Sequence, residues 1–351
     1  MFFKELADGT VARLPKTTEF GESWHQWSQR EIDALALALA ARRPLLVRGE
    51  PGTGKTQLAR AAAQHLTWRF ESTTIHSRYE AQDLQYRFDA VKRLADAQSL
   101  QTTAGTLGEH EADYWEPGPL WRVFDWKSAC GYGSGRADAD QPVPAGQVLL
   151  IDEIDKAESD LPNALLEVLG QRSFRIPALG RVIGGDQQGQ PQPLVIFTTN
   201  EERDLPAAFL RRCVVLTLGV AADQYLDWLK QRGRAHFGQI NGVRAQALMA
   251  AEVLAEAARQ LCEDRRAALD AGLPPPGVAE YLDLLYALHE LAPADTPEQL
   301  TWLARLNTYV YRKHGHVEGH PELTQRPAVI AEAAPDAAVD PSAKPARKRA
   351  R

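Results

Sequence analysis

Residues 49–56 read Gly49-Glu50-Pro51-Gly52-Thr53-Gly54-Lys55-Thr56, and this stretch decides the fold. It follows the apolar run Leu45-Leu46-Val47 and opens an alanine-rich stretch from Thr56 to Leu66, so the order is strand, glycine-rich loop, helix. Glycines let the backbone turn tightly so that successive N–H groups face phosphate oxygens, with the positive end of the following helix behind them. In that setting Lys55 neutralises the β- and γ-phosphates and Thr56 offers its hydroxyl to Mg²⁺. An accidental glycine-rich turn is the alternative. The apolar strand before the loop and the helix after it argue against that reading.

A phosphate loop alone does not separate kinase, switch and motor, so the acidic element downstream matters. Val148-Leu149-Leu150-Ile151 reads as a buried strand that carries Asp152 to its carboxyl end, where α/β sheets place ligands. Asp152 is then suited to hold Mg²⁺ through its water shell, and Glu153 to orient and polarise an attacking water. An acidic helix start accounts for Asp155 and Glu158. It accounts less well for the adjacent Asp152-Glu153 pair. The next strand, Leu194 to Thr199, ends on Asn200, whose amide can bond the water or the γ-phosphate, although Asn after a strand is more often a turn residue. Arg211 and Arg212, just before the apolar Val214-Val215-Leu216, are either a solvated basic turn or a source of charge for a neighbouring subunit's γ-phosphate.

Composition bounds the rest. With 351 residues, 44% hydrophobic and 25% charged, the chain has material for two globular domains, and a net charge of -6 argues against a globally basic nucleic-acid binder. Cys130, Cys213 and Cys262 are odd in number and far apart, which implies neither a disulfide framework nor a zinc site. No apolar run nears the ~20 residues that span a bilayer, and no signal peptide opens the sequence, so a cytoplasmic protein without a membrane segment is expected. Strands at 69–75, 148–151 and 194–199 alternate with helical stretches at 31–43, 56–66, 81–98 and 161–169, which predicts an α/β, three-layer αβα core with a mainly parallel sheet. From Tyr225 the texture becomes helical, with long stretches at 245–269 and 278–291. The expected division is 1–43 N-terminal linker and helix, 44–218 nucleotide-binding core, 219–325 helical lid, and 326–351 a disordered tail ending in Lys and Arg.

These elements in this order resemble the AAA+ ATPases, and more finely the MoxR family. Tyr114-Trp115-Glu116-Pro117-Gly118-Pro119-Leu120 is similar to that family's PGPL element, and Leu161-Pro162-Asn163-Ala164-Leu165-Leu166-Glu167-Val168-Leu169 to its helix after Walker B. Residues 172–193 resemble its hairpin before sensor 1. The resemblance spans residues 30–291. It implies ATP and Mg²⁺ as cofactors, Gly49 to Thr56 as Walker A with Lys55 and Thr56 as its key pair, Asp152 and Glu153 as Walker B, and Asn200 as sensor 1. Arg212, or else Arg211, falls at the arginine finger. It further implies a ring, usually a homo-hexamer, and a chaperone-like remodeller of a client or partner protein, with a von Willebrand factor A domain protein as the partner class. Residues 78–113 match a client-contacting insert, where Tyr79, Tyr86, Arg87, Phe88, Arg93 and Leu94 are available for contact or serve as core. One departure stands out: the lid's proline-rich start, Leu273-Pro274-Pro275-Pro276-Gly277-Val278-Ala279-Glu280, lacks the basic sensor 2 residue.

Three other functions compete. A nucleic-acid motor is disfavoured because only Lys344 to Arg351 is strongly basic. A GTPase of the McrB type is disfavoured because Thr199-Asn200-Glu201-Glu202-Arg203-Asp204 holds no convincing guanine-reading element. A nucleotide-gated scaffold has no use for water-positioning groups such as Glu153 and Asn200.

Overall fold

The computed structural model describes residues 3–100, 107–185, 191–240, 243–244 and 248–312. The leading segment, which composition marked only as linker, pairs β1 (Val11–Leu14) with β2 (Ser23–Gln26) as an antiparallel hairpin. Ser28 caps α1 (Gln29–Ala41), and the Glu31 carboxylate accepts the Ser28 N–H at 2.7 Å to complete a capping box. There follow β3 (Leu45–Gly49), α2 (Lys55–Leu66) and β4 (Arg69–Thr74). The single helix expected over 81–98 is instead α3 (Ala81–Gln85), β5 (Tyr86–Phe88) and α4 (Ala90–Leu100). The strand wins because β5 pairs antiparallel with β6 (Trp115–Pro117), packing Tyr86 and Phe88 tilted against Trp115 with ring centroids 5.4 and 4.6 Å away. Cross-strand aromatic contacts of this kind outweigh a modest helix propensity.

The chain continues through α5 (Pro119–Phe124), α6 (Trp126–Ala129), β7 (Gln147–Asp152), α7 (Asp160–Gln171) and a hairpin of β8 (Ser173–Ile176) and β9 (Arg181–Gly184). β10 (Leu194–Thr199), the short α8 (Ala207–Leu210) and β11 (Val214–Leu218) complete the core. Four helices follow: α9 (Tyr225–Phe237), α10 (Ala251–Asp270), α11 (Val278–Leu291) and α12 (Thr296–Val310). The expected helix start near 245 falls at Ala251, residues 245–247 lying outside the described residues, as does the tail from 326. No helix among the described residues is long and apolar enough to cross a membrane.

The central sheet has the order β11-β3-β10-β7-β4, every pair parallel. Because side chains alternate along a strand, each continuous apolar run divides between two faces. Leu45, Val47, Val148, Leu150, Leu194 and Ile196 pack under α1 and α2, while Leu46, Leu149, Ile151, Val195 and Phe197 pack under α5 and α7. The expected three layers result. β10 lies between β3 and β7, with Thr198 level with Val47 and Phe197 level with Ile151, so the carboxyl ends of all three strands meet at one edge.

The last four helices form a third core around Leu229, Leu261, Tyr281 and Leu285, in which the Tyr281 hydroxyl donates to Leu254 O at 3.0 Å. Contact with the rest of the chain runs partly through β2 and α9. Trp24 packs edge-on against His236, with ring centroids 6.1 Å apart, and His25 sits 3.7 Å from the buried Glu31 carboxylate. Burial, helped by the nearby Arg232 charge, pulls His25 down to about 3 and His236 to about 4. Both imidazoles are therefore neutral in the folded protein at neutral pH, whereas an unfolded chain binds their protons below about 6.5. The unfolded state then gains more protons, so stability is full above pH 6.5 and is lost as pH falls toward 4. At pH 5 we expect a loss of about 2 kcal/mol for each histidine. Urea midpoints measured at pH 7 and 5 check this, and a His25→Gln variant should show a shallower pH dependence.

Candidate active site

The loop after β3 is shaped by close approaches that leave no room for side chains. A Cβ on Gly49 would stand 2.5 Å from the Leu218 carbonyl on the neighbouring strand. One on Gly52, where φ is +78°, would stand 2.7 Å from Ala279 N at the start of α11. Gly54 turns left-handed at φ 100° and leads into α2, whose first residue is Lys55. The Lys55 ammonium is buried and donates to Gly49 O at 2.6 Å, Glu50 O at 3.0 Å and Asn200 Oδ1 at 2.6 Å. Burial draws its pKa below that of an ordinary lysine, and the charges of Asp152, Asp155, Glu153 and Glu50 pull it back up.

Opposite the lysine, the acidic turn is fixed by residues whose roles the sequence did not reveal. The Thr198 hydroxyl, fully buried on β10, donates to Asp152 Oδ1 and accepts the Glu153 N–H at 3.0 Å. It thereby holds Glu153 in a left-handed conformation, φ 59° and ψ 47°, that a non-glycine residue adopts only when its surroundings enforce it. Asp155, which a solvated helix start would have explained, is instead buried. Its Oδ2 accepts the backbone N–H groups of Asn200 at 3.2 Å and Glu202 at 3.0 Å. A buried carboxylate stitching two loops leaves no mark in a single sequence beyond an acidic residue at a turn.

The residues suit Mg²⁺. Thr56 Oγ1 donates to Asp152 Oδ2 at 3.1 Å, which places two hard oxygen donors side by side at the mouth of the loop. Among the described residues no group of three or more His, Cys, Asp or Glu could hold a metal ion, and Mg²⁺ bound with a nucleotide asks for less: a carboxylate, a hydroxyl, waters and phosphate oxygens. When bound there the ion would offset negative charge on the phosphates.

Cavities flank the loop on both sides. One, of about 550 Å³, borders Gly52, Lys55, Thr56, Asp152, Glu153 and Asn200. The other, of about 280 Å³, is walled by Leu216, Leu218, Val220, Tyr225 and Trp228 and touches the loop at Glu50 and Thr53. The ammonium, hydroxyl and amide bordering the first are groups that suit a polyphosphate, and the apolar wall of the second suits a flat base.

The stretch at Pro274 holds no cation, and a basic side chain from another of the last four helices meets the loop. Arg265, on α10, reaches across to the loop: Nη2 lies 2.6 Å from Glu50 Oε1, Nη1 donates to Pro276 O at 3.0 Å, and the guanidinium stacks 4.5 Å from the Tyr225 ring. It lies one helix earlier in the chain than the expected position, and it engages the loop's own carboxylate. In sequence Arg265 is one of several basic residues on α10, with no local mark that sets it apart.

Arg211 and Arg212 do not join these groups. They precede β11, whose first residue pairs with Leu45, whereas Gly49 pairs with its last residue, Leu218. Four strand steps of roughly 3.3 Å place both arginines about 13 Å or more from the loop, at the opposite edge of the sheet. Both are exposed, and Arg43 Nη1 donates to Arg211 O at 3.4 Å. Of the insert residues, Tyr79, Tyr86 and Phe88 pack on the core, and Arg93 lies over the Phe88 ring at 5.8 Å. Leu94 and Arg87 are exposed.

Strand order, together with a helical bundle resting on the phosphate loop, gives the molecule the AAA+ fold, that of the P-loop ATP hydrolases. Residues 44–213 match the sequence profile of the AAA domain of the dynein-related subfamily. An uncharacterized protein of Methanocaldococcus jannaschii is 23% identical over 163 residues, 46% of this chain and 33% of that protein. The chain thus spans about a third of that relative's length. Similar solved structures include PCH-2 of C. elegans, 16% identical, covering 86% of this chain and 75% of that one with a TM-score of 0.38. RuvB of Thermotoga maritima is also 16% identical, covering 81% of this chain and 72% of that one with a TM-score of 0.41.

Two substitutions test the loop's dependence on the lid. Gly52→Ala forces a methyl group against the α11 backbone and should weaken nucleotide binding at least about tenfold, read by titration with a fluorescent nucleotide. Arg265→Glu and Glu50→Arg should each weaken binding about fivefold, and the double reversal should recover most of that loss. Equal losses in the double and the singles would show that the pair does not act through its charges.

Proposed function

We propose that the protein is a MoxR-type AAA+ ATPase that hydrolyses ATP to ADP and phosphate and uses the cycle, as a ring, to remodel a partner protein. One observation carries the reading: Lys55, Thr56, Asp152, Glu153 and Asn200, which lie on three separate segments, converge on a single sheet edge beside a cavity of polyphosphate size. Lys55 neutralises phosphate charge. Asn200, held by Lys55 and Asp155, and Glu153, held at its backbone by Thr198, flank the place where a water would attack, with Glu153 as the general base.

The distant arginines support a ring. Arg211 and Arg212 lie at the opposite ends of the strands from their own loop, so stabilisation that they give a transition state would go to the loop of a second copy and tie turnover to assembly. A homo-hexamer, a partner with a von Willebrand factor A domain and a cytoplasmic, chaperone-like role follow from the family resemblance.

Phosphate release by the purified chain tests this reading. Glu153→Gln should keep nucleotide affinity and lose about 10²-fold or more in turnover. Specific turnover of the parent should rise with protein concentration, and Arg212→Ala or Arg211→Ala should abolish that rise while leaving nucleotide binding by the isolated chain intact. Parental turnover in Glu153→Gln would sink the assignment of the base.

A further inference from the structure

A second buried cation borders the phosphate cavity, and it is held differently from Lys55. Arg60 lies on α2, five residues and roughly 7.5 Å of helix beyond Lys55, and its side chain is buried against the same cavity of about 550 Å³. Burial lowers its pKa, yet an arginine stays charged at neutral pH. Among the described residues no carboxylate pairs with it. Its partners are neutral and belong to one strap of chain, residues 15–23, which joins β1 to β2. Nη1 donates to Gly21 O at 3.2 Å and to Ser23 Oγ at 3.1 Å, while Nη2 donates to Pro15 O at 2.8 Å. The guanidinium also lies 5.0 Å from the centroid of the Phe20 ring.

The strap has a shape of its own. Phe20 O accepts the Thr17 N–H at 2.8 Å, and Thr17 Oγ1 accepts the Phe20 N–H at 3.0 Å. Phe20 meets Phe70 of β4 edge-on at 5.9 Å, and Ser72 Oγ donates to Glu19 at 2.9 Å. Residues 20–23 then form one border of the phosphate cavity, and α11 between Ala279 and Tyr286 forms another. Burial, and after it the charges of Glu22 and Asp283, raise the pKa of the Tyr286 hydroxyl, so strap and lid approach each other at this rim.

A buried charge held only by neutral acceptors is incompletely compensated, and a polyanion close by lowers its cost. Nucleotide in the cavity and a fastened strap therefore favour each other, because each improves the surroundings of Arg60. We propose that Arg60 is a positioning residue: its guanidinium fork fastens the strap as a wall of the phosphate cavity, and the fastened strap slows the departure of bound nucleotide. This rests on the reading of that cavity as the nucleotide site. The fork suits the task because two nitrogens reach three acceptors at separate places, which a single ammonium serves less well.

The experiment follows dissociation of a fluorescent ATP analogue from the full chain and from Arg60→Gln, Arg60→Lys, Phe20→Ala and the double variant Arg60→Gln with Phe20→Ala. Steady-state kcat and KM for ATP and a thermal melt accompany each. Arg60→Gln should speed dissociation about tenfold and raise KM by a similar factor without lowering kcat. Arg60→Lys should recover part of that loss. Phe20→Ala, which loosens the strap and leaves the guanidinium in place, should speed dissociation about threefold, and the double variant should be little faster than Arg60→Gln, since both residues act through one element. Phe20→Ala decides by the same measure if Arg60→Gln does not fold. Parental dissociation in normally melting variants overturns the proposal. So does a double variant in which the two factors multiply, which would put Arg60 on the phosphates directly, or a fall in kcat with KM unchanged. If the parent chain binds no analogue, the nucleotide-site reading fails and takes the strap with it, an outcome distinct from analogue held equally well by parent and variants.

Discussion

A buried ammonium holds the site together. Removing a charge from water is costly unless strong acceptors surround it, and the acceptors of Lys55 come from two separate parts of the chain: the carbonyls of Gly49 and Glu50 after β3, and the amide oxygen of Asn200 after β10. Satisfying that charge therefore fixes the loop against the neighbouring strand end. Asn200 in turn gives its N–H to Asp155, Asp155 anchors the acidic turn, and Thr198 orients both Asp152 and Glu153. The catalytic geometry is a chain of hydrogen bonds that closes around one cation, and parallel strands in register are what make the chain short enough to close.

The second consequence concerns motion. Among the contacts that join the last four helices to the rest of the chain are the α11 start against Gly52, Arg265 on Glu50, and Trp24 of β2 edge-on against His236, which borders the larger cavity. Two of these touch the phosphate loop itself. A displacement of the lid must therefore strain the loop backbone or break an ion pair, a direct physical route between nucleotide occupancy and lid position. The other edge of the sheet carries the exposed arginines. In the proposed ring, one subunit thus supplies the loop and acids and another the charge.

Much of the fold was legible in the residues. Continuous apolar runs marked β3, β7 and β10 because strands buried on both faces admit no polar alternation, and the glycines at 49, 52 and 54 marked the loop because few other residues can take its conformations. What failed did so for identifiable reasons. The helix expected over 81–98 yielded at Tyr86–Phe88 to a partner strand about thirty residues away in sequence. The leading segment, polar in composition, folded into a hairpin. Local propensity carries no information about either partner.

For the site, the amino-acid sequence by itself determined which chemistry is present: a lysine and threonine after a glycine loop, an Asp-Glu pair after an apolar strand, and an asparagine at the next strand end. Only the tertiary structure decided how those groups are held and what opposes them. Thr198, Asp155 and Arg265 are ordinary residue types in ordinary local contexts, and each gained its part through a contact formed when strands, turns and helices were brought together. Chemical identity is a property of the residue. Hydrogen-bond partnership across the fold is a property of distance, and distance exists only once the chain has packed.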